Sequence, residues 1–234
     1  MKQELISIYK ILLNHFGPQG WWPADDEFEV IIGAILTQAT SWKNVEKSID
    51  NLKNERVLNP SGLYKISTKK LAGLIRPSLY YNVKAKKLKS FVNFLYKEYD
   101  GNLNLMLSQA NEKLRTQLLD IWGIGPETAD SILLYAANKK TFVIDAYTRR
   151  IFYRLGFIGK NSSYDEIKNF FEGNLPKRVK LYKEYHALIV KLGKDYCKKE
   201  PLCKECPVRK LCKISLINLP SSSPIQPFPY TLSL

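Results

Sequence analysis

The sequence predicts an all-α fold. Apolar residues recur at helical spacing along nearly the whole chain, cap-forming residues stand at the heads of several of these stripes, and no series of segments alternates with the two-residue period of strands. Leu5, Ile8, Ile11, Leu12 and Phe16 form the first stripe, closed by Gly17-Pro18. Asp26 and Glu29 have capping-box spacing and open a helix whose Phe28, Ile31, Ile32 and Ile35 share a face. Val45, Ile49 and Leu52 follow Ser41, and Ser67 opens a short helix ending near Arg76-Pro77. Leu88, Phe91, Val92, Leu95 and Tyr99 mark a longer helix, and Leu114, Leu118 and Leu119 another. The chain turns sharply over Ile121 to Pro126, and a helix then runs from about Glu127 to Ala137. Asp145 opens the next helix, and Ser163 with Glu166 is a second capping box. Leu181, Tyr185, Leu188 and Leu192 mark a last long helix, expected to stop before Gly193.

A chain of 234 residues suffices for one large domain or two small ones, and 45% apolar against 25% charged residues is globular composition, not disorder. The net charge of +14 favours a polyanionic partner, because each neutralised phosphate releases a condensed counterion. A ribosomal or membrane-surface protein could carry the same excess. No apolar run approaches the roughly 20 residues of a membrane span, and no stretch reads as a signal peptide, so a cytoplasmic protein is expected. Residues 215–234 hold no charged residue and four prolines (Pro220, Pro224, Pro227, Pro229), which predicts an extended arm.

Cys197, Cys203, Cys206 and Cys212 are all the cysteines present, spaced C-x5-C-x2-C-x5-C. Thiolates this dense converge on one centre at little entropic cost, and four of them suit zinc or an iron–sulfur cubane. Two disulfides are disfavoured in a reducing compartment. Lys198, Lys199, Lys204, Arg209, Lys210 and Lys213 would give that centre a basic rim. Gly123 and Gly125 allow close backbone approach at a tight turn, either to a phosphate or simply between two helices. Asp145 at a helix start is a cap or a catalytic carboxylate. His15 and His186, the only histidines, lie among apolar neighbours and read as structural.

Taken together, Leu36 to Thr40, the run Ile121 to Ala129, Asp145 eighteen residues after Glu127 and the C-terminal cysteines resemble the endonuclease III superfamily of helix-hairpin-helix DNA glycosylases, over about residues 20–212. The first cysteine gap differs from that family's form, five residues rather than six. The resemblance implies a six-helix barrel (21–128) ending in the hairpin, a second helical domain built from both chain ends (1–20 plus 129–214), and a DNA groove between them. It implies a monomeric base excision repair enzyme, associated with the nucleoid, that acts on double-stranded DNA containing a damaged base. Gly123 and Gly125 would bind the DNA backbone, Gln38 would fill the gap left by a flipped nucleotide, and Asp145 would be the catalytic carboxylate. The carbonyls of Leu119, Ile121 and Ile124 would hold a monovalent cation, and the four cysteines a [4Fe–4S] cluster, with zinc as the alternative.

Bifunctional members carry a lysine at the position of Glu127, where the amine forms a Schiff base and leads to strand cleavage. A glutamate cannot do this, so a monofunctional glycosylase is expected. Trp21, Trp22, Pro23, Trp42 and Glu127 are similar to the 3-methyladenine DNA glycosylase III branch, which implies a base pocket for an alkylated purine. Indole faces suit such a cation, worth roughly 1–2 kcal/mol. These tryptophans read equally as core residues, and Trp122 as packing. A mismatch or uracil/thymine glycosylase, a bifunctional glycosylase/lyase and a non-catalytic DNA-binding protein are the alternatives.

Overall fold

The computed structural model describes residues 1–213, and every regular element among them is helical. The expected arm, 215–234, lies outside the described residues. The chain begins with α1 (Lys2–Phe16), which buries Leu5, Ile8 and Leu12 and ends where Gly17 takes a positive φ of 70°. α2 (Glu27–Leu36) is buried along almost its whole length. Asp26 caps it, accepting the Glu29 N–H at 2.8 Å. The reciprocal half of the expected box is missing. The Glu29 carboxylate turns away to accept the Asp25 N–H and to pair with Lys53 of α3 (Trp42–Asn54) at 2.9 Å.

Two helices were not anticipated, α4 (Pro60–Lys65) and α7 (Leu103–Ser108). Six residues are too few for a 3.6-residue period to show. Their signal is in the caps: Asn59 accepts the Gly62 N–H, and Asn102 the Leu105 N–H. α5 (Thr68–Leu74) is capped by Ser67 and leads into a 3-10 turn at Arg76–Ser78. α6 (Tyr81–Tyr99) packs against α2, α4, α5 and α7. α8 (Asn111–Leu119) and α9 (Pro126–Ser131) flank the glycine hairpin. The expected single helix from Glu127 to Ala137 is instead α9 followed by a π turn over Ile132–Ala136. That turn packs against α2 on the barrel side and against α12 from the chain's end.

α10 (Ala146–Leu155) starts at the Asp145 cap, and α11 (Tyr164–Asn174) carries the complete Ser163–Glu166 capping box. α12 (Val179–Asp195) packs on α1 and α10, so the two ends of the described chain meet. It does not stop at Gly193. That glycine lies under the Tyr147 ring of α10, where a Cβ would collide, so it serves helix–helix approach rather than termination. One continuous apolar core runs through all of these helices.

Candidate active site

The extended segment Phe142–Ile144 is almost fully buried and delivers Asp145 to the head of α10. One carboxylate oxygen, Oδ1, accepts the Thr148 N–H at 2.7 Å. The other, Oδ2, faces His186 Nε2 on α12 at 3.5 Å, which is ion-pair range rather than a good hydrogen bond. Burial raises the Asp145 carboxyl, but the approach of His186 and the Thr148 N–H outweigh it and hold the group below its ordinary value. Glu127, on the first turn of α9, is exposed and lies near Asp145. The surrounding walls, and then the charge of Asp145, push its carboxyl up to about 8, against the pull of Arg149. The two carboxyls therefore sit in environments that drive their protons in opposite directions.

Aromatic rings gather beside Asp145 and His186. Trp21 and Trp22, joined by a cis peptide, stack with centroids 5.3 Å apart. Trp21 also stacks on the His186 imidazole at 5.5 Å. Trp42 meets Trp22 at right angles, 5.3 Å away, and its indole N–H donates to Glu46 at 2.7 Å. Pro23 is exposed beside them. Gly33 of α2 lies against both rings, and a Cβ there would meet Trp22 at 3.4 Å and Trp42 at 3.6 Å, ordinary contact distances. Tyr135 completes the group, 5.2 Å from Trp22 and hydrogen-bonded to His186 Nδ1 at 2.7 Å. Tyr135 had no assignment from sequence. It comes from the π turn, whose five residues are all buried, so no one-sided stripe marks it in the sequence.

Gln38, just past α2, is tied to the hairpin. Its amide N–H donates to the Gly123 carbonyl at 3.1 Å and to Thr128 Oγ1 at 2.9 Å, while its oxygen accepts from Lys87 Nζ at 2.6 Å. The Lys87 chain lies across Gly123, which has a positive φ of 90°. Gly125, by contrast, faces open space and heads α9 without a side-chain cap. Trp122, expected to pack, is 53% exposed at the hairpin tip, because the tight turn points it away from both flanking helices. Leu79 and Tyr80 are exposed as well, on left-handed backbone. The buried Lys84 binds the Leu36 and Ser78 carbonyls, tying their turn to the end of α2. Burial and the neighbouring Lys87 bring Lys84 down to about 8.

The four cysteines are free thiols. Together with Arg154 and Val208 they line one cavity of about 30 Å³ beneath α10. Arg154 donates to Cys197 Sγ at 3.3 Å and to the Lys198 and Lys199 carbonyls, so the loop is anchored to α10. Among the described residues, no three His, Cys, Asp or Glu side chains are arranged to hold a single metal ion as they stand. The donor set itself fits either group expected from the sequence. Burial pushes the Cys206 thiol up to about 11, a backbone hydrogen bond at Val208 works against this, and the other three sulfurs add to it. A bound cation would reverse that balance. Lys198, Lys199, Lys204, Arg209, Lys210 and Lys213 are all exposed around the loop.

The family described as "HhH-GPD superfamily base excision DNA repair protein" matches residues 32–177, more than half of the chain. The chain belongs to the HhH-GPD superfamily. A putative DNA repair glycosylase of Methanocaldococcus jannaschii is 52% identical over 214 residues, covering 90% of this chain and 97% of its own. Endonuclease III of Sulfolobus acidocaldarius is 30% identical over 195 residues, covering 82% and 84%. Among solved structures, the H. pylori 3-methyladenine DNA glycosylase (MagIII) bound to 1,N6-ethenoadenine superposes with a TM-score of 0.71 at 32% identity, covering 82% of this chain and 96% of that one. A non-covalent endonuclease III–DNA complex has a TM-score of 0.79 at 22% identity, over 92% and 97%, and shares the fold.

This HhH-GPD protein is accordingly a base excision repair DNA glycosylase whose partner is DNA. Its fold brings Asp145, Glu127, Trp21, Trp22 and Trp42 into one neighbourhood through His186, and sets Gln38 against the hairpin. The cysteine loop is a separate feature on the far end of α10. His186, Tyr135 and Lys87 join these groups without having been marked by the sequence. For His186, read as structural, the contact with Asp145 was missed because a lone histidine on an apolar helix face carries no signal of what lies opposite.

Proposed function

We propose that this glycosylase is monofunctional and excises an alkylated purine such as 3-methyladenine. The observation that carries the reading is the pair Glu127 and Asp145 beside an aromatic cluster: where a lyase needs an amine, this chain presents a carboxyl. The H. pylori relative's name and its ethenoadenine ligand support a purine substrate. A flipped base would stack among Trp21, Trp22 and Trp42, with Pro23 at the rim. A cationic base entering beside Glu127 would oppose the effect of Asp145 and favour the ionised glutamate. Asp145, anionic and dry, would stabilise the oxocarbenium-like state as the glycosidic bond breaks and orient the attacking water.

The test is base release from methylated duplex DNA, with uracil and thymine-mismatch duplexes alongside and borohydride present in a parallel set. The expected result is free 3-methyladenine, an intact abasic strand, no covalent adduct, and no release by Asp145→Asn. Release of only uracil or thymine moves the enzyme to the mismatch class. A trapped adduct refutes monofunctional action.

Gly123, Gly125 and the N–H groups heading α9 would hold the phosphate backbone, and Gln38 the vacated stack, with Trp122, Leu79 and Tyr80 as apolar wedges on the same edge. A monovalent cation on the carbonyls of Leu119, Ile121 and Ile124 would strengthen the hairpin's grip. The enzyme would act as a monomer across the groove between its barrel and its terminal helices. Cys197, Cys203, Cys206 and Cys212 would hold a [4Fe–4S] cluster, which cross-links the loop and adds folding energy. Iron and sulfide analysis of anaerobically purified protein checks this; zinc without sulfide supports the other occupant.

A further inference from the structure

The imidazole of His186 is held on three sides. Its residue is 3% exposed. The Trp21 indole stacks on it at an interplanar angle of 23°, which fixes the plane of the ring. The Tyr135 hydroxyl meets Nδ1 at 2.7 Å. The remaining nitrogen, Nε2, is buried without a hydrogen-bond partner and lies 3.5 Å from Asp145 Oδ2. A buried polar atom left unpaired costs free energy, so an orphan nitrogen aimed at a carboxylate oxygen calls for an explanation. Distances of this kind are commonly long in a free enzyme and tighten once substrate closes the site.

We propose that His186 is a positioning residue for Asp145: Tyr135 sets its tautomer so that Nε2–H faces the carboxylate, and Trp21 fixes its plane, linking the wall of the base pocket to the catalytic group. The inference rests on the reading of Asp145 as the carboxylate that acts on the sugar. The chemistry follows from the donor inventory. When the Tyr135 O–H donates to Nδ1, the proton of a neutral imidazole must sit on Nε2. When the hydroxyl donates instead to the Lys183 carbonyl, 3.3 Å away, it accepts from Nδ1, and a neutral ring would then turn a bare Nε2 toward the carboxylate, which is the arrangement the proposal excludes. With the Tyr135 O–H donating to Nδ1, the Nε2–H faces Oδ2, while Thr148 N–H holds Oδ1. The carboxylate is thereby fixed at both oxygens.

The other charged groups around this unit are few. Lys183 and Glu184, on the helix of His186, act on Tyr135. Glu127 interacts with Asp145 from α9, and Arg149 of α10 acts on Glu127. A base stacking against Trp21 would press on the ring that orients Asp145, so pocket occupancy and carboxylate geometry are coupled through one side chain.

Two measurements test this. The chain has only two histidines, so its imidazole spectrum holds two sets of resonances, and His15, at 3.1 Å from the Tyr196 hydroxyl, is the internal control. In nitrogen NMR of the full chain, His186 Nε2 is expected to carry a proton, and its shift to change in Asp145→Asn while His15 stays fixed. Asparagine retains the helix cap, so the variant should fold. An unprotonated Nε2, or His186 shifts identical in the two proteins, overturns the proposal. In single-turnover release from methylated duplex, His186→Gln is expected to lose on the order of 10- to 100-fold in rate. Its Kd for the duplex should be unchanged and the acid limb of its rate profile displaced to higher pH. Slowing with an unchanged profile overturns it. Should the wild type release no base from that duplex, the substrate reading fails, while the NMR arm still decides the role of His186.

Discussion

Placing a methyl group on each hairpin glycine in turn separates folding from DNA contact. Gly123 has a φ of 90°, and a side chain there would meet the Lys87 chain. The left-handed backbone costs a non-glycine residue roughly 1–2 kcal/mol. Moving Lys87 aside also breaks its bond to Gln38, 2.6 Å long, and bonds to charged groups contribute about 1.5–3 kcal/mol. Gly123→Ala should therefore destabilise the protein by about 3 kcal/mol, which for a chain of this size lowers Tm by roughly 6–12 °C. Gly125 differs in both respects: its φ is −93°, and a Cβ would enter open space. Alanine there weakens only the helix start, by about 0.5–1 kcal/mol. It does stand where the DNA backbone would approach, so Gly125→Ala should bind duplex about 10-fold more weakly, a difference of about 1.4 kcal/mol. Thermal unfolding by circular dichroism and anisotropy with a labelled abasic-analogue duplex read the two quantities. Equal melting losses in the two variants, or a Gly123→Ala protein that melts with the wild type, would refute the reasoning.

Three other perturbations have definite outcomes. Asp130 is fully buried, paired with Arg115 at 2.9 Å and accepting from Thr141 at 3.1 Å, so Asp130→Ala, which leaves Arg115 only Asp165 at 3.2 Å, should cost roughly 1.5–3 kcal/mol by urea unfolding; a loss under about 1 kcal/mol would show that water replaces the carboxylate. Glu127 is raised in the folded state to about 8 from an ordinary value of 4.5, so the folded protein binds more protons in that window and stability falls as pH rises through it. Glu127→Gln should flatten the decline in Tm between these pH values, and parallel pH curves would exclude the contribution. Cys203→Ser should lower Tm and duplex affinity together, since the loop that carries the exposed basic side chains is anchored through its cysteines and Arg154; normal melting and binding would separate the loop from both roles.

What the sequence determined by itself is local. The α1 stripe, the Asp26 and Ser163 caps, the glycine hairpin and the capping position of Asp145 depend on residues within about four positions of one another, and each is present, although the box read at Asp26 keeps only its Asp26 half. The same locality misled at Gly193, where the stop signal of a glycine was overruled by the Tyr147 ring from another helix, and at the π turn, whose residues are buried on every side and so carry no one-sided stripe. The candidate site was legible only in part, as Asp145, Glu127, three tryptophans and Gln38. Tyr135 and His186 meet across 51 residues of chain, and Lys87 meets Gln38 across 49. Nothing in the spacing of such residues encodes their partners. Tertiary packing chose them: α12 folds back on α1 and α10, and α6 lies along α2, and only then do a histidine and a lysine with no local signature come to face a carboxylate and an amide.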